Sequence, residues 1–169
     1  MNSKRPPDKA AWLTEFYQMS ATECAIVNEY APQPDKDIAL LDHSIAKWTG
    51  LLKANLNRYG FDADTILSDY ATHRTDLPIT VGSESCALCL VYTGISATAP
   101  HDEHACTGCP LYESRGKIPC DSVTREETQD TDYPLSPWHA WTRRSGGSAL
   151  PMLRALKKAK RWRQKSKSK

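Results

Sequence analysis

Cys86, Cys89, Cys106 and Cys109 form two C-x2-C pairs with sixteen residues between them, a spacing at which four thiolates can close around one tetrahedral Zn²⁺. A closed four-thiolate shell leaves no coordination position for a substrate, so the quartet points to a scaffold before it points to catalysis. Two further thiols qualify this reading. Cys120 offers a fifth sulfur close behind the second pair, and Cys109 precedes Pro110 as the final ligand of bacterial iron–sulfur sites precedes a proline. The C-x2-C-x2-C run of those sites is absent, which leaves zinc ahead. His104 and Cys120 are the alternative ligands, either able to replace one of the four cysteines, and Cys24 is expected in the core.

Compartment bears on the choice between metal and disulfide. The polar start MNSKRPPDK lacks the apolar stretch of a secretory signal, and no run of about 18 apolar residues occurs anywhere. The chain is therefore expected to be soluble and cytoplasmic, where paired cysteines are more often metal ligands. Its 169 residues suit one domain with appended segments.

Hydrophobic spacing predicts a mainly α fold with little β, built from an N-terminal helical hairpin and a small zinc-knuckle module. Residues 9 to 30 place Trp12, Phe16, Met19, Ile26, Val27 and Tyr30 mostly at helical steps, with a possible interruption at Ser20 to Glu23, before Pro32 and Pro34. Ile38, Leu41, Ile45, Trp48, Leu52, Leu56 and Tyr59 continue as a second helix between Asp35 and Gly60. The short connection makes the two antiparallel neighbours. A third short helix is expected over 62–70, a brief extended segment at Ile79 and Val81, and a helix capped by Ser83 that carries Cys86 and Cys89. Pro110 starts another that Gly116 ends, Pro137 to Trp141 a further turn, and a last helix follows Ser148 and Pro151 through Trp162. The closing KSKSK is expected to be disordered. Trp12, Phe16, Leu41 and Trp48 are the expected core. The organisation is a helical region over 1–76, the four-cysteine module and its connection over 77–141, and a basic C-terminal helix with its tail over 142–169.

Charge is unevenly placed. Of the 22 Lys and Arg, 11 lie in residues 142–169 with no Asp or Glu, so the rest of the chain holds 11 basic against 20 acidic side chains, a net of −9. Such a tail either grips an anionic partner or folds back on its own acidic body. Arg143, Arg144, Arg154, Lys157, Lys158, Lys160, Arg161 and Arg163, interleaved with Trp162, suit phosphate neutralisation, which places nucleic acid ahead of an acidic protein surface and a membrane behind both. Against an enzyme, the chain has no G-x-S-x-G, P-loop or H-E-x-x-H. His101, Asp102, Glu103 and His104 are the one stretch that suggests a metal-dependent nuclease, but a contiguous set on one loop lacks ligands from several elements.

SCALCLVY followed by CTGCPLYESRGKIPC resembles a pattern in small bacteriophage and prophage proteins, where a C-x2-C pair precedes C-x2-C-P and one further cysteine. The resemblance covers residues 82–121 and, more loosely, SPWHAW and PMLRALKKA. It implies an accessory protein that binds host machinery or nucleic acid and implies no catalytic activity. The expected function is a non-enzymatic, zinc-stabilised binding protein. Inhibition of a host defence or transcription complex and a metal-dependent nuclease are the alternatives.

Overall fold

In the computed structural model the described residues are 6–62, 79, 85–93, 106–124, 136–142 and 147–167. They form helices and, among the described residues, no strand: α1 (Lys9–Phe16), α2 (Ala21–Val27), α3 (Asp35–Gly50), α4 (Lys53–Arg58), α5 (Ala87–Tyr92), α6 (Pro110–Ser114), α7 (Pro137–Thr142) and α8 (Leu150–Lys167). Helix α3 is the hub, packed against α1, α2, α4, α5 and α8, and α8 also covers α6 and α7. The third short helix expected over 62–70 lies outside the described residues apart from Asp62, as does the extended segment apart from Ile79, which is buried.

The first predicted helix is two. Ser20 accepts from the Glu23 N–H at 3.1 Å while the Glu23 carboxylate accepts from the Ser20 N–H at 2.7 Å, so the chain restarts as α2 instead of continuing α1. The second predicted helix also divides. Trp12 donates its indole N–H to the Gly50 carbonyl at 3.0 Å and Asn55 its amide to the Thr49 carbonyl at 2.7 Å, satisfying carbonyls at the end of α3 without a further turn. Leu52 is extended, and α4 starts after it. The hairpin is thus α1 and α2 against α3, with Trp12, Phe16, Leu41, Trp48 and Cys24 buried as expected.

Two glycines end helices by the same device. After α4, Gly60 at φ 78° lets its N–H reach the Asn57 carbonyl at 3.1 Å and the Phe61 N–H reach the Leu56 carbonyl at 2.9 Å. After α6, Gly116 at φ 72° pairs with Glu113 at 3.2 Å and Lys117 with Tyr112 at 3.0 Å. Gly116 therefore stops α6 as its position suggested.

Helix α8 is a core element. It buries Met152, Leu153, Leu156 and Ala159 in a cluster that also holds Trp12, Leu41, Leu88, Leu111 and Trp141, so one core joins all three stretches of the chain. Burying four such side chains contributes several kcal/mol, at about 1.5–3 kcal/mol for each large one. This packing, with the good helix propensity of Lys, Arg and Gln, carries the helix to Lys167, into the stretch expected to be disordered. No helix among the described residues is long and apolar enough to cross a membrane.

Candidate functional site

Each cysteine pair sits at the start of a helix. Cys86 is the N-cap of α5 and Cys89 lies in its first turn, so the expected cap at Ser83 lies outside the described residues and the cysteine itself occupies that position. Cys106 to Cys109 make a tight turn closed by the Cys109 N–H to the Cys106 carbonyl at 3.0 Å. Gly108 is at its third position with φ 84°, a conformation that disfavours any side chain. The turn delivers Cys109 as the N-cap of α6, with Pro110 in the first helical turn, where its missing N–H costs nothing.

The loop after α6 brings in Cys120. Arg115 is buried and donates to the Ile118 carbonyl at 3.3 Å and the Ser122 carbonyl at 2.5 Å, holding the loop on both sides of the cysteine. The Trp138 N–H donates to the Cys120 carbonyl at 3.1 Å, and the Trp138 and Trp141 rings meet Trp48 edge-on at 6.1 and 5.5 Å. The loop is thereby tied to α7 and, through the indoles, to α3.

All six cysteines are free thiols, and five of them interact. The Cys89 thiol donates to Cys86; that bond, the Lys47 ammonium and Ser44 hold the Cys86 pKa down to about 6 against the opposing effect of burial. Bearing the proton of that bond, and buried, Cys89 is pushed well up. Burial pushes Cys109 up to about 12 although the amides of Leu111 and Tyr112 pull the other way. Burial likewise raises Cys106 and Cys120, and the charge of Cys86 acts on both of them and on Cys109. Among the described residues no group of three or more His, Cys, Asp and Glu side chains is gathered so as to hold a metal ion. Cys86 and Cys89 hydrogen-bond to each other, and Cys106, Cys109 and Cys120 lie near enough for a charge on Cys86 to act on them. His101 and His104 lie outside the described residues.

A polar network borders the second cysteine pair. Gln33 donates to the Tyr92 hydroxyl at 3.2 Å, Tyr92 donates to buried Asp37, and Arg163 of α8 places Nε 2.5 Å from Asp37 in ion-pair geometry while Nη2 donates to Gln33 at 2.9 Å. Burial first, and the bond to Asp37 second, raise the Tyr92 pKa. A Cβ at Gly108 would meet the Tyr92 ring at 3.6 Å, so this tyrosine lies between the Cys106–Cys109 turn and the end of α8.

Helix α8 divides its cations between two faces. Lys160 and Arg163 turn inward to Asp42 and Asp37, so these two members of the expected basic set are ion-paired with the acidic body. Arg154, Lys157, Lys158, Arg161 and Lys165 are exposed, and Arg154, Lys158, Arg161 and Lys165 follow one face at steps of three and four. That line is about 16 Å long at 1.5 Å per residue. Trp162, 39% exposed, flanks it. Arg143 and Arg144 lie outside the described residues.

Sequence reasoning passed over Lys47, Ser44, Asp37 and Tyr92. A signal for the α3 members existed: Asp37, Ser44 and Lys47 fall at helical spacing beside the apolar line, a polar stripe that the structure shows to be buried. No protein-family model, no curated protein and no solved structure matches this chain.

Proposed function

We propose that the chain is a non-enzymatic nucleic-acid-binding protein that applies the outer face of α8 to phosphates and is braced by zinc bound at Cys86, Cys89, Cys106 and Cys109. The carrying observation is the sorting of charge on α8. The cations facing the body are satisfied by Asp37 and Asp42, and five others share the exposed side of a helix that contains no acidic residue. Since phosphate contacts release counterions, such a face gives affinity that falls steeply with salt and is indifferent to sequence.

Zinc suits the donor set. Thiolates are soft ligands, one cysteine of each pair, Cys86 and Cys109, accepts backbone amides that favour its ionised form against the effect of burial, and a metal would fasten together the three segments that carry the five thiols. Cys120 is the spare fifth sulfur. The resemblance of the cysteine pattern to phage proteins suits an accessory role of this kind.

The test is fluorescence anisotropy with labelled DNA and RNA over a salt series. Wild type should show a log–log slope of roughly −3 to −4, as about four contacts to duplex require. The combined Arg154→Ala, Lys158→Ala and Arg161→Ala variant should retain its helical spectrum while the slope falls by about 2 to 3. A slope unchanged by the triple variant overturns the assignment to α8. A protein partner is the second reading, favoured by the apolar end of α2, where Ile26 is 62%, Val27 67% and Tyr30 90% exposed. Loss of binding to a purified polymerase or nuclease on Ile26→Ser and Tyr30→Ser, with nucleic acid absent, would favour it.

A further inference from the structure

Of the five tryptophans, four serve the core. Trp12 packs on Phe16 at 5.9 Å and on Phe61 at 6.5 Å, and Trp48 meets Trp138 and Trp141 edge-on. Trp162 belongs to no such pair among the described residues. It stands on α8 beyond Ala159, the last buried residue of that helix, outside the core cluster and exposed. Lys160 and Arg163, ion-paired with Asp42 and Asp37, hold the helix against α3 on both sides of it. Lys165 lies three residues ahead and Lys158 four behind, spacings at which helix side chains are neighbours, so the indole runs along the cationic line. Arg154, Arg161 and Lys165 form no ion pair with a described residue.

Core packing does not account for a large ring held in water at this place, and phosphate neutralisation needs only the cations. The ring's face suits a second flat π system, while the cations beside it draw the phosphates on either side. Bases in a duplex are stacked on one another and closed to such a ring, whereas unpaired bases present their faces. A tryptophan on a basic helix would also suit a membrane surface, but the apolar stripe of α8, Met152, Leu153, Leu156 and Ala159, is buried in the core and closed to lipid. We propose that Trp162 is a stacking platform for an unpaired base and that the outer face of α8 takes single-stranded nucleic acid in preference to duplex. The inference rests on the phosphate-binding reading of α8 above. Because α8 is anchored on α3, the ring is presented in place and little has to be ordered on binding.

The experiment is fluorescence anisotropy of the full-length chain with labelled probes of equal length: an oligothymidylate of about 12 nucleotides, a mixed-sequence duplex, and an abasic strand that keeps the phosphates and lacks the bases. Wild type should bind the thymidylate most tightly. Trp162→Leu, which keeps apolar bulk and removes the flat ring, should weaken that binding roughly 5–150-fold. Its affinity for the abasic strand and its salt slope should stay as in wild type, a split that a merely structural tryptophan would not produce. Trp162→Phe should recover part of the loss. Unchanged affinity of Trp162→Leu for the thymidylate, equal weakening on every probe, or a wild type that prefers duplex overturns the inference. Emission gives a second reading that needs no variant to fold: the thymidylate should quench part of the tryptophan emission of wild type and the abasic strand should not, and equal spectra with both would again overturn it. Wild type that binds none of the probes at low salt removes the phosphate reading of α8 and this inference with it, whereas equal binding of thymidylate and abasic strand overturns the inference alone.

Discussion

Gly50→Ala is the substitution that most directly probes how the hairpin closes on the hub helix. By propensity alone, exchanging a glycine for alanine in a helix stabilises by up to about 1 kcal/mol. Here the added Cβ would stand 2.7 Å from Phe16 Cβ, Phe16 Cγ and Trp12 Cζ2, distances at which α1 or the end of α3 must move. Overpacking of this kind costs about 1–3 kcal/mol, and displacing Trp12 also endangers its 3.0 Å bond to the Gly50 carbonyl, worth about 1 kcal/mol. The net expectation is a loss of about 1–3 kcal/mol, which lowers the melting temperature by roughly 3–10 °C for a domain of this size. Urea unfolding followed by tryptophan emission and circular dichroism measures both quantities, with a lower midpoint and an unchanged slope. A variant more stable than wild type would refute the docking of α1 on Gly50, because only the propensity gain would then be operating.

Three further outcomes follow from other contacts. Burial holds the His43 pKa below its ordinary 6.5, with the bond to the Met19 carbonyl opposing in part; the unfolded chain therefore binds the proton first, stability is flat above pH 6.5 and falls as pH drops below it, and His43→Gln should flatten that limb of a pH–melting curve. Asp37→Asn leaves Arg163 without its charge partner and weakens the Tyr92 bond; with Arg163 still partly exposed, a loss of about 1–3 kcal/mol is expected in denaturant unfolding, whereas Arg163→Met, which strands the buried Asp37 carboxylate, should cost more than Asp37→Asn. Cys109→Ser, or removal of metal by a strong chelator, should expose the 85–124 stretch to proteolysis while the α1–α3 hairpin stays protected, and equal cleavage of both would contradict a bracing role for the thiol site.

The parts legible in the sequence were those decided by local chemistry. Gly60 and Gly116 signalled their helix ends because only a positive φ completes those caps, and Pro110 marked the start of α6. Apolar spacing located α3 and α8 because each buries one continuous stripe. It failed at Gly50 to Leu52, where a contact with Trp12, distant in sequence, ends the helix; the interruption allowed for at Ser20 to Glu23 is a capping-box restart. The cysteine pairs were visible as a pattern, but the inward turn of Lys160 and Arg163 was not, since it depends on where α8 packs against Asp37 and Asp42. Lys47 was hidden for the same reason: a lysine in a helix reads as surface until a neighbouring segment covers it.

Metal per chain, measured by elemental analysis on untagged protein purified without added metal or chelator, tests the central claim most directly. One zinc per chain, lost together with Cys86, Cys89, Cys106 or Cys109 on substitution, is the expected result. Iron, or metal-free protein whose thiols all react freely with a thiol reagent in the folded state, would contradict it.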